Sequence, residues 1–270
     1  MILDRFRVEG SVALVTGAGR GIGRSIALGL AEAGADVVVA ARTAAQIEAV
    51  AEEIRSLGRR ALAVPCDVNR GDELDALVDR ALSELGRLDL LVNNAGGSPP
   101  TPLLQLSDEA FEEAFHFNVT SAMHLTRKAM PHLLESGRAA VLNISSGLGH
   151  LVEPGFVAYA TAKAALSHLT RILAAEFAPR VRVNALAVGA TLTDALAPFV
   201  KGELREKMEA LTPMRRLGEV DDIAAAALYL LSPASSWVTG KVLEVDGGTT
   251  ASNWPLEIPG YPGAPTAAGG

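Results

Sequence analysis

One cysteine, Cys66, occurs in 270 residues. A lone thiol excludes an intrachain disulfide framework and fits a reducing compartment. Positive charge is also short, with 24 lysines and arginines against 31 acidic residues and a net charge of −7. No basic patch or block of like charge appears, so nucleic acid is not an expected partner. Long hydrophobic runs are absent. The longest covers residues 223–231, too short to span a bilayer, and the opening MILDRFRVEG has no apolar core of a signal peptide. The expectation is a cytoplasmic protein with no membrane partner. His116, His124, His132, His150 and His168 show no metal-like convergence, so no metal site is expected. Internal repeats and interdomain linkers are lacking too.

What is present is a regular alternation. Short apolar runs at 12–16, 36–41, 61–66, 88–92, 139–144, 181–186 and 242–245 read as buried parallel strands. Helical stretches fall between them at 25–33, 44–57, 72–85, 107–134, 157–177, 193–210 and 219–231. Strand–helix alternation predicts an α/β fold, a single doubly wound parallel sheet (Rossmann fold) with helices on both faces. It forms one unit over 1–252. The remainder, 253–270, carries Pro255, Pro259, Pro262 and Pro265 among glycines and predicts an irregular tail.

The first strand runs into Gly17-Ala18-Gly19-Arg20-Gly21-Ile22-Gly23. Strand, glycine turn and helix is the context in which a pyrophosphate meets the free N–H groups of a helix N-terminus. The second strand ends Ala40-Ala41-Arg42. In such folds an acid there takes the ribose 2′-hydroxyl of NAD, whereas arginine accommodates the 2′-phosphate of NADP. The missing carboxylate, with Arg42 and Arg20 near one corner, predicts NADP(H) in preference to NAD(H).

A serine pair, Ser145 and Ser146, closes the fifth strand. Tyr159 and Lys163 follow, four residues apart and therefore one helical turn apart on one face. An ammonium beside a phenol favours the phenolate, and a tyrosine so tuned can pass a proton near neutral pH. Ser146 could hydrogen-bond the same oxygen. Taken alone, the pair also fits a surface tyrosine with a solvated lysine.

Together these pieces resemble the short-chain dehydrogenase/reductase family. Thr16 to Gly23 looks like its cofactor turn. Asp67-Val68 is similar to its adenine-binding element, and Asn93-Asn94-Ala95-Gly96 matches its NNAG motif. Asn118 stands where the family has its catalytic asparagine. Ser146, Tyr159 and Lys163 match its triad, and Asp246-Gly247-Gly248 its closing DGG. After the sixth strand the family's Pro-Gly is Val188-Gly189 here, predicting a slightly looser turn. Thr191 and Thr193 follow at the place of cofactor contact.

The resemblance implies a small-molecule ketone or secondary alcohol as substrate. It makes Tyr159 the proton donor and acceptor, and Ser146 the group that orients the substrate oxygen. Lys163 lowers the tyrosine pKa and binds the ribose, while Asn118 holds a relay water. Gly17, Gly19, Arg20, Gly21, Ile22, Gly23, Arg42, Asp67, Val68, Asn94, Ala95, Gly96, Tyr159, Lys163, Gly189, Thr191 and Thr193 would bind NADP(H). The segments nearest the substrate resemble those of 7α-hydroxysteroid dehydrogenases; 3-oxoacyl-carrier-protein reductases and a non-catalytic nucleotide-binding regulator remain alternatives. Long helices at 107–134 and 157–177 imply a homotetramer, with a homodimer as alternative. Trp237 reads as core or interface. His150 and Glu153 lie in a loop expected to face the substrate.

Overall fold

The computed structural model describes residues 1–255; most of the Pro/Gly-rich tail lies outside the described residues. Seven strands form one parallel sheet: β1 Val12–Thr16, β2 Asp36–Ala41, β3 Ala61–Pro65, β4 Leu90–Asn93, β5 Ala140–Ser146, β6 Arg182–Val188 and β7 Val242–Val245. Their order is β3-β2-β1-β4-β5-β6-β7. Val, Leu, Ile and Ala fill the central strands because both faces are covered. Side chains alternate across the pleat. Ala13 and Val15 of β1 face one apolar layer, and Val12 and Leu14 face the other.

The first layer is closed by α1 (Gly21–Glu32), α2 (Ala44–Ser56) and α8 (Val220–Leu231) through Ile26, Leu30, Ile47, Ile54, Ile223 and Leu230. The second lies under α3 (Gly71–Leu85), α5 (Ser121–Ser136) and α6 (Val157–Phe177), with Leu74, Leu77, Leu125 and Leu133 at its centre. No helix among the described residues is long and apolar enough to cross a membrane.

Two helical expectations are corrected. The stretch 107–134 is α4 (Asp108–Phe115), a π-helical turn at His116–Thr120, and then α5. Ser107 caps α4, its Oγ accepting from Ala110 N at 3.2 Å. The stretch 193–210 is helical only in α7, Gly202–Leu211. Pro198 has no N–H to continue a helix, and it keeps its predecessor out of helical backbone angles.

The strand order reverses direction between β1 and β4. In an open parallel sheet that reversal leaves a crevice outside the carboxyl ends of the strands, where ligands bind.

Candidate active site

That crevice is a cavity of ≈ 670 Å³ lined by the turn after β1, the ends of β2, β4 and β5, the start of α6 and the segment after β6. Its floor depends on Asn94. The Asn94 Nδ2 donates to Thr16 O at 2.9 Å and Gly17 O at 3.2 Å, clamping the end of β1 to the end of β4. Thr16 Oγ1 returns the tie, accepting from Asn94 N at 3.1 Å and Ala95 N at 3.2 Å. A side chain at Gly23 would put its Cβ 2.3 Å from Gly17 O and 2.5 Å from Asn94 Nδ2, so the turn closes only with glycine there. The result is an open N-terminus of α1 facing the crevice, suited to a pyrophosphate.

At the far corner, Ala41, Arg42, Thr43 and Gln46 come together with Arg20. Both arginines are exposed, and neither guanidinium has a partner among the described residues. Asp67 and Val68 line the adjacent wall with Cys66. Burial, with Glu73 and Asp67 nearby, pushes the Cys66 thiol up to about 12, so it is no nucleophile at neutral pH.

At the opposite end, Ser146 closes β5, and Tyr159 and Lys163 descend from the first turns of α6. The lysine is buried. Its Nζ donates to Ile144 O at 2.8 Å and sits 5.6 Å from the centre of the Tyr159 ring. Ser145 is structural, donating to Lys163 O at 3.0 Å and pairing with Ser167 at 2.8 Å.

Asn118 lies in the π-helical turn, also buried. Its Nδ2 donates to Ala114 O at 2.8 Å and Gly97 O at 3.0 Å, and its Oδ1 accepts from Gly97 N at 2.9 Å. A Cβ on Gly96 would stand 2.7 Å from Asn118 Oδ1 and 3.0 Å from Lys163 Nζ. Glycine at 96 is therefore what allows the asparagine and the lysine to approach the same point.

Burial sets the proton affinities. It lowers Lys163 from 10.5 to about 8, because an ammonium loses solvation there. It raises Tyr159, an effect that the Ser146 hydroxyl partly opposes by hydrogen bonding. In this structure the leading influence on the tyrosine is thus desolvation, whereas the spacing alone points to a lowering by Lys163. A phenol held protonated at neutral pH is the form that donates.

The turn after β6 is held despite Val188. Gly189 N donates to Val245 O at 3.0 Å, Thr191 Oγ1 to Gly189 O at 3.1 Å, and Gly218 N to Ala190 O at 3.0 Å. Gly189, Thr191 and Thr193 all line the cavity, as do Gly17, Gly19, Gly21, Ile22, Ala95 and Gly96. His150, by contrast, turns its ring toward Glu244 of β7, 3.7 Å away. Trp237 is 99% exposed and belongs to no core. No group of metal-ligating residues is found among the described residues. Gln46 and the Ile144 carbonyl are site groups that the sequence reading passes over. No spacing or motif signals them, because they meet the others only through the crossover connections.

Residues 17–250 match the family model described as Enoyl-(Acyl carrier protein) reductase. An uncharacterized oxidoreductase of Mycobacterium tuberculosis (strain CDC 1551 / Oshkosh) is 52% identical over 261 residues, 96% of this chain and 99% of that protein. The 7alpha-hydroxysteroid dehydrogenase of Escherichia coli (strain K12) is 44% identical over 247 residues, 91% of this chain and 96% of that one. A solved 7 alpha-hydroxysteroid dehydrogenase, complexed with NADH and 7-oxo glycochenodeoxycholic acid, superposes with a TM-score of 0.88 at 44% identity, covering 92% of this chain and 97% of that one. A glycine turn clamped by NNAG, a serine closing β5 and a tyrosine–lysine pair on α6 stand on this sheet order, and the family-model match with these relatives makes the chain a member of the short-chain dehydrogenase/reductase family, an oxidoreductase acting on CH–OH groups.

Proposed function

We propose that residues 1–252 act as one NADP(H)-preferring enzyme that interconverts a ketone and a secondary alcohol, and that the substrate is of hydroxysteroid type. The observation that carries this is the convergence of Ser146, Tyr159 and Lys163, with Asn118 behind Gly96, on one end of the cavity whose other end holds the glycine turn and the two unpartnered arginines.

The residues fit a nicotinamide nucleotide. The open start of α1 would take the pyrophosphate, Asp67 and Val68 the adenine, and Arg20 and Arg42 a 2′-phosphate. Gly189, Thr191 and Thr193 would border the nicotinamide, and Tyr159 and Lys163 the ribose beside it. The bound nucleotide supplies the hydride.

The protein's own part is position and proton. Ser146 donates a hydrogen bond to the substrate oxygen and holds it against Tyr159. The Tyr159 hydroxyl gives its proton to that oxygen in reduction and recovers it in oxidation. Charged Lys163 stabilises the phenolate left behind. Asn118, whose Oδ1 and Lys163 Nζ both approach Gly96, holds a water in the proton relay that runs through Lys163. Replacing Tyr159 by Phe keeps the ring and removes the proton. Turnover followed at 340 nm should fall at least about a hundredfold, the scale of general acid–base catalysis, with nucleotide affinity nearly unchanged. Retention of most of the turnover would remove the assignment.

NADH in the solved hydroxysteroid relative favours a second reading of the cofactor. Here Ala41 offers the ribose no carboxylate, while two cations wait at the same corner. A charge-assisted hydrogen bond contributes roughly 1.5–3 kcal/mol, and about 1.4 kcal/mol is tenfold. NADPH should therefore bind at least about tenfold more tightly than NADH, and Ala41→Asp with Arg42→Ile should reverse the order. Fluorescence titration of both reduced nucleotides decides; equal or tighter NADH binding by the unmodified protein overturns the preference.

A 3-oxoacyl-[acyl-carrier-protein] reductase of Staphylococcus aureus (strain Mu50 / ATCC 700699), 38% identical over 238 residues, supports 3-oxoacyl thioesters as a second substrate class. A panel of bile-acid 7-ketones and 3-oxoacyl thioesters separates the two. The single cysteine fits action in the reducing cytoplasm. The helices α4–α5 and α6 fit a homotetramer, with a homodimer as the smaller alternative.

A further inference from the structure

The described chain ends against the active site, and an aromatic ladder makes the connection. Phe156 packs edge-on to Tyr159 with ring centres 6.4 Å apart and an interplanar angle of 61°. Trp254 also packs on Phe156, 5.9 Å away and nearly perpendicular at 85°. The Trp254 side chain also joins the apolar cluster of Val200, Met208 and Leu217, to which Leu196 belongs, and Leu196 is itself a wall of the catalytic cavity. Asn253 fixes the approach, its Nδ2 donating to Thr212 Oγ1 at 2.9 Å. The facing loop is tied in as well, by Thr101 N donating to Gly155 O at 2.7 Å. The loop before α6 and the segment after β6 thus meet at Trp254, and the loop at Thr101 is tied to the first of them.

The same segments expose apolar side chains that a soluble surface usually hides. Leu103 is 63% exposed, Val152 87% and Phe199 76%. They come from the loop after β4, the loop before α6 and the segment after β6, and exposed apolar side chains in such loops suit an apolar ligand.

We propose that Trp254 is a specificity-determining residue, the far wall on which the body of a bulky, cyclic, apolar ketone packs while its carbonyl meets Tyr159. This rests on the ketone-reductase reading above and adds to it a residue that selects for the body of the substrate. A large apolar ring system buries area on an indole that a small ketone, held at Ser146 and Tyr159 alone, never reaches. Trp254 consequently acts on affinity for large substrates and not on the proton step.

The chain has two tryptophans. Replacing the exposed Trp237 by Phe leaves Trp254 as the single reporter. In that background a fused-ring ketone should change the indole emission on binding, and a small ketone such as cyclohexanone should not. Trp254→Ala should raise KM for the fused-ring ketone at least about tenfold, the scale of one lost buried aromatic contact, while kcat/KM for cyclohexanone and the nucleotide affinity stay within about threefold. Trp254→Phe should restore part of the loss. Equal losses for both ketones, or none for either, overturn the proposal while leaving the reductase reading intact. Reduction of no ketone by the unmodified protein overturns that reading and the proposal with it.

Discussion

At the scale of single residues, Lys163 shows what the site costs the fold. Its pKa drops from 10.5 to about 8 because the ammonium is buried, with the Ile144 carbonyl as its hydrogen-bond partner among the described residues. The unfolded chain binds this proton more tightly, so folding is penalised while the lysine is charged. The penalty is fully present below pH 8 and is relieved as pH rises from 8 toward 10.5; its size is about 3 kcal/mol, at about 1.4 kcal/mol per pKa unit. Lys163→Met removes the penalty but strands the Ile144 carbonyl, which costs about 1–3 kcal/mol. The variant should therefore be at least as stable as the unmodified protein at pH 7 by denaturant titration. That advantage should shrink by pH 10, while turnover falls by more than about a hundredfold. A variant clearly less stable at pH 7 would contradict the burial argument. The same group gives the pH profile: reduction should be flat below about pH 8 and decline above it, as the charge that stabilises the Tyr159 phenolate is lost.

At the scale of elements, the site is built where helices and strands are interrupted. The π-helical turn inside the α4–α5 stretch frees Asn118 to bond Gly97 from both ends of its amide, and such insertions gather at functional sites. Asn94 plays the corresponding part between β1 and β4. Asn94→Ala leaves the Thr16 and Gly17 carbonyls without their donor, at a cost of about 1–3 kcal/mol. Calorimetry should show Tm lower by several degrees, and nucleotide Kd should rise by about tenfold or more as the turn loosens. An unchanged Tm would mean that the clamp contributes nothing. Because Tyr159→Phe touches no part of this clamp, the two variants separate cofactor binding from chemistry.

At the scale of the whole molecule, α6 presents an outer stripe of Thr161, Ala164, His168, Ile172 and Ala175, at helical spacing and exposed. Ile172, the large apolar member of the stripe, keeps half of its surface open. Small residues let a second helix approach closely, and closed symmetric assemblies are the usual outcome of such faces. Light scattering at micromolar concentration should give a tetramer, or failing that a dimer. Ile172→Glu should shift the population toward smaller species. A monomeric unmodified protein would count against the assembly.

The alternation of strand and helix, the order of the motifs and the pairing of Tyr159 with Lys163 were legible without coordinates. Each rests on a local rule: apolar runs for buried parallel strands, a spacing of four for one helix face, glycine where a backbone must turn or be approached. Local rules also explain the two misread helices. Periodicity across 107–134 does not single out one extra residue in a turn, because the stretches before and after it each read as ordinary helix. Composition over 193–210 hides the break at Pro198. What only tertiary structure decided are the groups that meet from distant parts of the chain: Gln46 beside Arg20 and Arg42, the Ile144 carbonyl on Lys163, the turn of His150 toward Glu244, and Trp254 on Phe156, which packs against Tyr159. The balance of proton affinities belongs with them. A neighbouring lysine can be read from spacing, but the desolvation that raises Tyr159 and lowers Lys163 depends on how much protein surrounds them, and only the packed fold sets that.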